Sequence, residues 1–260
     1  MKRTLLDGVP ASLPDALARL ADGARVYDSS CSPEARVYFI EKDGGYYLKS
    51  APKGVLAGEA AMARFFHGKG LGADVLAYLS GEQDWLLTER VAGEDCTHAA
   101  YLADPCRLAD TTATLLRALH ETDPAGCPVQ DHTARYFANA EKNYRAGMFD
   151  PAYGDGKEIP TADVAWQIAQ ESRPLFRNDV LLHGDYCLPN IMLENWTFRG
   201  FIDLGNGGVG DRHVDLFWGA WTLRYNLKTD RYCDRFLDAY GRDAINPTLL
   251  RAIGAIETFG

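Results

Sequence analysis

The sequence lacks the features that mark a membrane or exported protein. No apolar run approaches the ~20 residues that a membrane-spanning helix requires. The N-terminal stretch MKRTLLDGVPASLPDALARL has no apolar signal core, because Asp7, Pro10 and Pro14 follow the first basic residues too closely. We therefore expect no membrane partner and a cytoplasmic location.

Paired cysteines and an excess of positive charge are lacking as well. The six cysteines are scattered without a C-x-x-C pair, which disfavours a disulfide framework or a zinc site and is typical of reduced thiols. The formal net charge of −9 argues against nucleic-acid binding and is compatible with a cationic small-molecule partner. With 260 residues, of which 47% are hydrophobic, the chain can build one large globular domain or two lobes.

The order of elements predicts an α+β fold with two lobes. An amphipathic helix is expected over residues 13–22, and aromatic and β-branched runs such as ARVYFIEK and GGYYLKS indicate a β-meander after it. Beyond residue 92 helical patterns predominate, and only the strand-like runs DVLLHGD and FRGFIDL interrupt them. We predict a small β-rich N-terminal lobe, residues 1–92, and a larger helical C-terminal lobe, residues 93–260.

The stretch IDLGNGGVG, residues 202–210, has the G-x-G-x-x-G spacing of a dinucleotide-binding turn. A Rossmann unit also requires a second strand with an acidic residue about 20 residues further on. The chain after Trp221 instead has helical periodicity, a glycine break and another apolar-periodic segment. We therefore interpret the glycines as keeping side chains away from a nucleotide and metals near Asp203.

Three polar residues in LLHGDYCLPNIMLENWTFRGFIDLG follow the pattern of phosphoryl transfer. Asp185 and Asn190 lie around one tight loop, and Asp203 ends the next hairpin strand. Mg²⁺ prefers one or two carboxylates together with substrate phosphates, and a carboxylate five residues before the amide suits a base beside the metal. The spacing predicts Asp185 as the catalytic base and Asn190 and Asp203 as metal ligands.

The motifs HGDYCLPN and GFIDLGN resemble those of the aminoglycoside phosphotransferases, which are relatives of the protein kinases. The resemblance extends over nearly the whole chain and implies a bilobal protein-kinase-like fold. It also implies that Lys49 in YYLKS binds nucleotide phosphates and that Glu59 pairs with this lysine, while His183 holds the loop in a structural role. The activity it implies is transfer of the γ-phosphate of ATP, with Mg²⁺, to a 3′- or 3″-hydroxyl of an aminoglycoside, which confers antibiotic resistance.

The resemblance places the nucleotide contacts at two further segments. The turn SSCSPEA, residues 29–35, is expected over the phosphates, with Ser29, Ser30 or Ser32 as donors. The segment DWLLTERVAGED resembles the hinge of the family and is expected to offer the backbone of Glu89 and Val91 to the adenine edge.

The substrate side departs from the family pattern. Trp221 and Thr222 stand where the 3′-phosphotransferases have an Arg-Asp pair that contacts the drug, and Asn206 stands where an arginine is common. A polycationic substrate needs carboxylates for its ammonium groups. The candidate substrate-binding residues are Asp150, Asp155, Glu158, Glu257 and the terminal carboxylate of Gly260.

Several alternatives remain open at this stage. Either the acidic residues have moved, or the substrate is less cationic than a standard aminoglycoside. Trp218, Trp221 and Tyr225 form an aromatic wall for a flatter molecule, or two of them face the core. Two alternatives to an aminoglycoside kinase are a kinase of another small-molecule alcohol or antibiotic on the same fold and a non-catalytic nucleotide-binding module. The presence of Asp185, Asn190, Asp203 and Lys49 argues against the non-catalytic module.

Overall fold

The computed structural model describes residues 3–8, 10, 13–31, 35–154 and 159–260. Contacts divide the described chain into two compact units. The N-terminal unit takes the described residues of 1–92 together with Arg199–Gly205, and the C-terminal unit takes those of Gly93–Phe198 and Asn206–Gly260. The short segment Arg199–Gly205 therefore belongs with the N-terminal unit, although the sequence suggested one continuous C-terminal lobe.

The N-terminal unit is built on an antiparallel sheet with the strand order β1-β2-β3-β4-β6-β5. The strands are β1 (Thr4–Leu5), β2 (Arg25–Asp28), β3 (Arg36–Glu41), β4 (Tyr46–Pro52), β5 (Val75–Ser80) and β6 (Gln83–Glu89). Helix α1 (Asp15–Ala21) precedes β2, and helix α2 (Ala57–Gly68) connects β4 to β5. The expected helix over residues 13–22 is thus present with slightly shorter bounds.

Each face of this sheet is covered by a helix, because side chains alternate along β4. Leu48 points into a cluster with Leu17 of α1, whereas Ala51 packs in a second cluster with Ala60 of α2. The period of two therefore turns Lys49 toward the α2 face. Alternation along the central strand sets the position of the first candidate site residue.

Asp84 of β6 fixes the start of α2. Its buried carboxylate accepts hydrogen bonds from the Leu56 amide at 3.0 Å, the Tyr78 hydroxyl at 3.0 Å and the Ser80 hydroxyl at 2.7 Å. An otherwise unpaired N–H at the first turn of α2 is satisfied in this way. The helix that carries Glu59 is therefore anchored to the sheet that carries Lys49.

The C-terminal unit is mainly helical. Its helices are α3 (Ala99–Leu102), α4 (Pro105–His120), α5 (His132–Arg145), α6 (Ala162–Ser172), α7 (His213–Leu227), α8 (Cys233–Tyr240) and α9 (Pro247–Glu257). Side chains of Asp104, Asp131, Thr161 and Asn246 cap the first turns of α4, α5, α6 and α9. Phe137, Ala169 and Ile256 belong to the core cluster of α5, α6 and α9. No helix among the described residues is long and apolar enough to cross a bilayer.

Short strands position the loops of interest. β7 (Glu94–Asp95) pairs with β9 (Ile191–Glu194), and β8 (Val180–Leu182) pairs with β11 (Gly208–Gly210), both antiparallel. A 3₁₀ turn over Leu188–Asn190 precedes β9, and β10 (Thr197–Phe201) runs toward Asp203. Asp185 therefore follows β8, and Asp203 follows β10.

The glycines of residues 202–210 have a different explanation from the one expected. Gly208 and Gly210 lie in β11, where a Cβ would come within 2.7 Å of Val129 Cγ1 and 2.6 Å of Leu182 Cδ1 respectively. At these two positions the absence of a side chain permits close packing inside the C-terminal unit, so the expectation that they make room for a nucleotide is wrong. β11 also pairs antiparallel with β8, which a dinucleotide-binding turn does not do.

Candidate active site

Lys49, Glu59 and Asp203 form an ion cluster in the N-terminal unit. The Lys49 ammonium donates to Glu59 Oε1 and Oε2, both at 2.9 Å, and to Asp203 Oδ1 at 2.8 Å. Glu59 comes from the first turn of α2, and Asp203 has a positive φ of 60° just beyond β10. The structure therefore brings together three of the residues that the sequence singled out.

The charges of this cluster are unequal in their access to solvent. Burial alone would lower the pKa of Lys49, but the Asp203 and Glu59 carboxylates outweigh it and raise that pKa, so the ammonium stays charged. Burial raises the pKa of Glu59. The Glu59 side chain is 14% exposed and the Asp203 side chain 53%. Asp203 is accordingly the member of the cluster that is free to meet a ligand from solvent.

Asp185 and Asn190 meet in the C-terminal unit. Asn190 Nδ2 donates to the Asp185 carbonyl at 3.0 Å and to Asp185 Oδ2 at 2.9 Å, so the amide orients the carboxylate. Gly184, just before them, has a φ of 83°, and a Cβ there would lie 1.9 Å from the Asn206 carbonyl oxygen. Only glycine fits at position 184, which explains the glycine of the HGD motif.

Asp215, a residue that sequence reasoning missed, binds the backbone of the same loop. Its fully buried carboxylate accepts from the backbone amides of His183 and Gly184, both at 2.8 Å. His120 Nε2 lies 3.2 Å from Asp215 Oδ2, and His120 Nδ1 lies 2.8 Å from the Tyr240 hydroxyl. Burial would raise the pKa of Asp215, but the interactions with His120 and with the His183 backbone outweigh burial and lower this pKa. Burial lowers the pKa of His120.

A signal for Asp215 is present in the sequence. It is the single acidic residue in the otherwise apolar run VDLFW, and a carboxylate on the buried side of a helix is rare unless it is partnered. His183 is fully buried, as its expected structural role requires.

The expected nucleotide contacts are only partly accessible. Ser29 is buried at 2% exposure, so its hydroxyl is not presented to solvent, contrary to the expectation for a phosphate donor. The Ser30 hydroxyl accepts from the Val37 amide at 2.9 Å. Ser32 lies outside the described residues. The Glu89 amide already donates to the Asp74 carbonyl at 3.0 Å, which limits Glu89 to its carbonyl, and Val91 is buried.

Glu257 is a buried candidate substrate-binding carboxylate. Its Oε1 accepts from the Tyr136 hydroxyl at 2.5 Å and from the Trp218 indole at 3.0 Å. Burial raises the pKa of Glu257 to about 7, although both hydrogen bonds oppose the shift. Glu257 therefore anchors two aromatic side chains, and its charge is only partly present near neutral pH.

The other candidate carboxylates are dispersed. Asp150 is exposed, its amide donates to the Thr258 carbonyl at 2.7 Å, and its carboxylate accepts from the Ala152 amide at 2.9 Å. The Gly260 amide donates to the Glu257 carbonyl at 3.0 Å, which keeps the C-terminus beside Glu257. Asp155 and Glu158 lie outside the described residues.

Four aromatic side chains form a row in the C-terminal unit. Trp218, Trp221 and Tyr225 lie on α7, and Tyr153 packs beside them. The Trp218 and Trp221 rings are 5.4 Å apart, and Trp221 stacks on Tyr225 at 5.0 Å with 9° between the planes. Tyr153 lies 5.7 Å from both indoles. Trp218 packs against the core cluster of Val180, Leu182, Val214 and Ile253, whereas Trp221 is half-buried and Tyr225 is exposed.

The oxygen ligands available for a metal are few. Within the described residues, no group of three or more His, Cys, Asp or Glu side chains could hold a metal ion. Asp203 and Asn190 each carry an oxygen of the hard type that Mg²⁺ prefers, and Mg²⁺ typically takes only one or two carboxylates in addition to phosphates and water. The donor chemistry therefore fits a nucleotide-associated Mg²⁺ better than a dedicated protein site.

Comparison with known proteins agrees with this chemistry. The sequence model of the phosphotransferase enzyme family matches residues 33–253. A probable aminoglycoside 3′-phosphotransferase of Lactococcus lactis is 49% identical over 248 residues, which are 95% of each chain. The aminoglycoside 3′-phosphotransferase of Niallia circulans is 31% identical over 179 residues, covering 69% of this chain and 68% of the relative.

Solved structures have the same fold. An aminoglycoside 3′-phosphotransferase of type VIII superimposes with a TM-score of 0.79 at 25% identity, over 95% of this chain and 98% of the other. A phosphotransferase of Streptomyces rimosus, in complex with ADP and streptomycin, superimposes with a TM-score of 0.70 at 23% identity, over 95% and 99% of the two chains. The protein-kinase-like fold that the sequence motifs imply is confirmed by these neighbours.

Proposed function

Since the chain belongs to the phosphotransferase enzyme family, we propose that it is an ATP-dependent aminoglycoside O-phosphotransferase. The favoured acceptor is a 3′-hydroxyl, because the relative that is 49% identical over 95% of both chains is a probable aminoglycoside 3′-phosphotransferase. Such an activity inactivates the antibiotic and confers resistance. The scattered cysteines of the sequence are typical of reduced thiols and favour action in the cytoplasm.

The observation that carries the proposal is the Asp185–Asn190 pair at the end of β8. The Asn190 amide orients the Asp185 carboxylate, and Asp215 holds the backbone immediately before it. A carboxylate fixed in this way can accept the proton of an attacking hydroxyl while the new O–P bond forms and the bond from the γ-phosphorus to ADP breaks. Asp185 is therefore the proposed general base.

The N-terminal unit is the proposed nucleotide-binding lobe, and the C-terminal unit the catalytic and substrate-binding lobe. Lys49, charged and held by Glu59, would neutralise phosphate oxygens of ATP. Ser30 and the backbone of Glu89 and Val91 are the remaining candidates for nucleotide contacts.

Mg²⁺ is proposed as the metal partner of ATP. Asn190 and Asp203 would each supply one oxygen ligand: Nδ2 of Asn190 is taken by Asp185, which leaves Oδ1 as its acceptor, and Asp203 is half exposed. When bound, the ion neutralises charge on the phosphates during transfer. The role of this chain is to present those two oxygens, to keep Lys49 charged and to hold the Asp185 carboxylate in its orientation.

The test is a coupled assay of ADP release by the purified protein with ATP, Mg²⁺ and either kanamycin, neomycin or streptomycin. We expect at least one of these drugs to stimulate ADP release and ³¹P NMR to locate the phosphate on a sugar hydroxyl. Asp185→Asn, which conserves shape, should lose about 10²–10⁴ in kcat with an unchanged melting temperature. Failure of all three drugs to stimulate the wild type, or an Asp185→Asn variant within about threefold of it, would refute the assignment.

A further inference from the structure

The aromatic row of α7 has no role in the chemistry described so far. Trp218, Trp221 and Tyr225 follow one another at intervals of three and four residues, so they share one face of the helix. Tyr225 is 57% exposed, and it is one of the few large apolar side chains that the described residues leave open to solvent. A contiguous aromatic surface of this kind usually marks a binding site.

The row is connected to the catalytic loop within the same unit. The hydroxyl of Thr222, next to Trp221, accepts from the Leu188 amide at 3.2 Å in the turn that leads to Asn190. At the other end, the Trp218 indole donates to Glu257. Burial and then the nearby carboxylates, among them that of Asp185, raise the pKa of Tyr153. The row therefore lies alongside the residues that would bind and activate the acceptor.

The surface suits a ring that carries both apolar and cationic groups. Aromatic faces attract ammonium groups, as the Lys228 ammonium 4.2 Å from the Tyr225 ring centroid shows, and an ammonium group of the acceptor would have to displace Lys228 from Tyr225. Carboxylates that could compete for such cations are limited here, because Oε1 of Glu257 accepts two hydrogen bonds and Asp185 is bonded to Asn190. Aminosugar rings combine C–H faces with ammonium substituents.

We propose that Trp221 and Tyr225 bind the acceptor itself, packing against a C–H face and an ammonium group of an aminosugar ring, and that they select this class of substrate. The inference rests on the proposed function and specifies its substrate site. It makes Trp221 a specificity-determining residue.

The experiment measures KM and kcat for kanamycin and KM for ATP in the wild type, Trp221→Ala, Trp221→Phe and Tyr225→Ala. We expect the kanamycin KM to rise about tenfold in Trp221→Ala and severalfold in Tyr225→Ala, with the ATP KM within about twofold. Trp221→Phe should restore most of the loss, because it keeps an aromatic face. Tyr225→Ala guards against misfolding, since its side chain is already exposed.

Trp196→Ala is the matched control. Trp196 is also half-buried in the C-terminal unit, but it contacts Tyr101 at 4.9 Å and Arg107 at 4.3 Å rather than the row. Its kanamycin KM should stay at the wild-type value. If the wild type turns over kanamycin and both alanine variants of the row keep its KM within about twofold, the inference is overturned while the proposed function stands. No turnover of any aminoglycoside by the wild type would overturn the proposed function and this inference with it.

Discussion

Glu257→Gln should change how the stability of the protein depends on pH. The wild-type carboxyl is buried with a pKa raised to about 7, whereas in the unfolded chain it titrates near its ordinary value of 4.5. Between these two values the folded protein keeps a proton that the unfolded chain has released. Stability therefore falls as pH rises through this window, and the loss is complete above the folded pKa.

The size of the effect follows from the difference between the two pKa values. A rise from 4.5 to about 7 is worth about 3 kcal/mol at 1.36 kcal/mol for each pH unit. Screening by water reduces this little, because Glu257 is 8% exposed. Glutamine keeps an oxygen that can accept from Tyr136 and Trp218 but has no proton to lose, so the variant lacks this part of the pH dependence.

The assay is urea unfolding of the wild type and of Glu257→Gln at about pH 5 and about pH 8, followed by tryptophan fluorescence and circular dichroism. Titration of all other groups is common to both proteins and cancels in the difference. We expect the wild type to lose about 2.5 kcal/mol relative to the variant between the two conditions, because part of the full effect is already lost at pH 5. Glu171→Gln, at an exposed position on α6, controls for the loss of a charge. A wild-type minus variant difference that is the same at both pH values would refute the reasoning.

Two further substitutions test the remaining parts of the site. Asp203→Asn should raise the Mg²⁺ concentration needed for half-maximal ADP release by about 10–100-fold, because a neutral amide is a poorer ligand; superimposable metal titrations would show that Asp203 is only a turn residue. Asp215→Asn replaces an acceptor of two backbone amides with a group that can accept only through one oxygen. It should cost about 1.5–3 kcal/mol of stability and lower kcat more than the ATP KM, and unchanged thermal unfolding would contradict this.

Sequence reasoning succeeded where residue type and local element together restrict the chemistry. The ion pair of Lys49 and Glu59, which the resemblance implies, is present in the structure, because strand alternation turns Lys49 toward the α2 face and Glu59 lies in the first turn of α2. The loop of Asp185 and Asn190 could be placed because the two residues are close along the chain. In each case the partners are local, or the motif itself fixes the spacing.

The contacts that sequence reasoning missed are formed by residues far apart in sequence. Asp215 reaches the loop from a helix 31 residues away, and no local pattern shows which buried backbone amide a carboxylate will meet. Ser29 is buried, and a run of serines gives no sign of that. Glu257 carries the charge expected of a substrate ligand, but its commitment to Tyr136 and Trp218 depends on the packing of α5, α7 and α9.

The path of the chain through Arg199–Gly205 affects the order in which the protein can assemble on the ribosome. The sheet and helix that carry Lys49 and Glu59 are complete once residue 92 has been synthesised, but Asp203 is added only after more than half of the remaining chain. Until then the nascent lysine has a single carboxylate partner. Because the N-terminal unit takes residues from two separate parts of the chain, the two units cannot be separated by cleavage at one peptide bond.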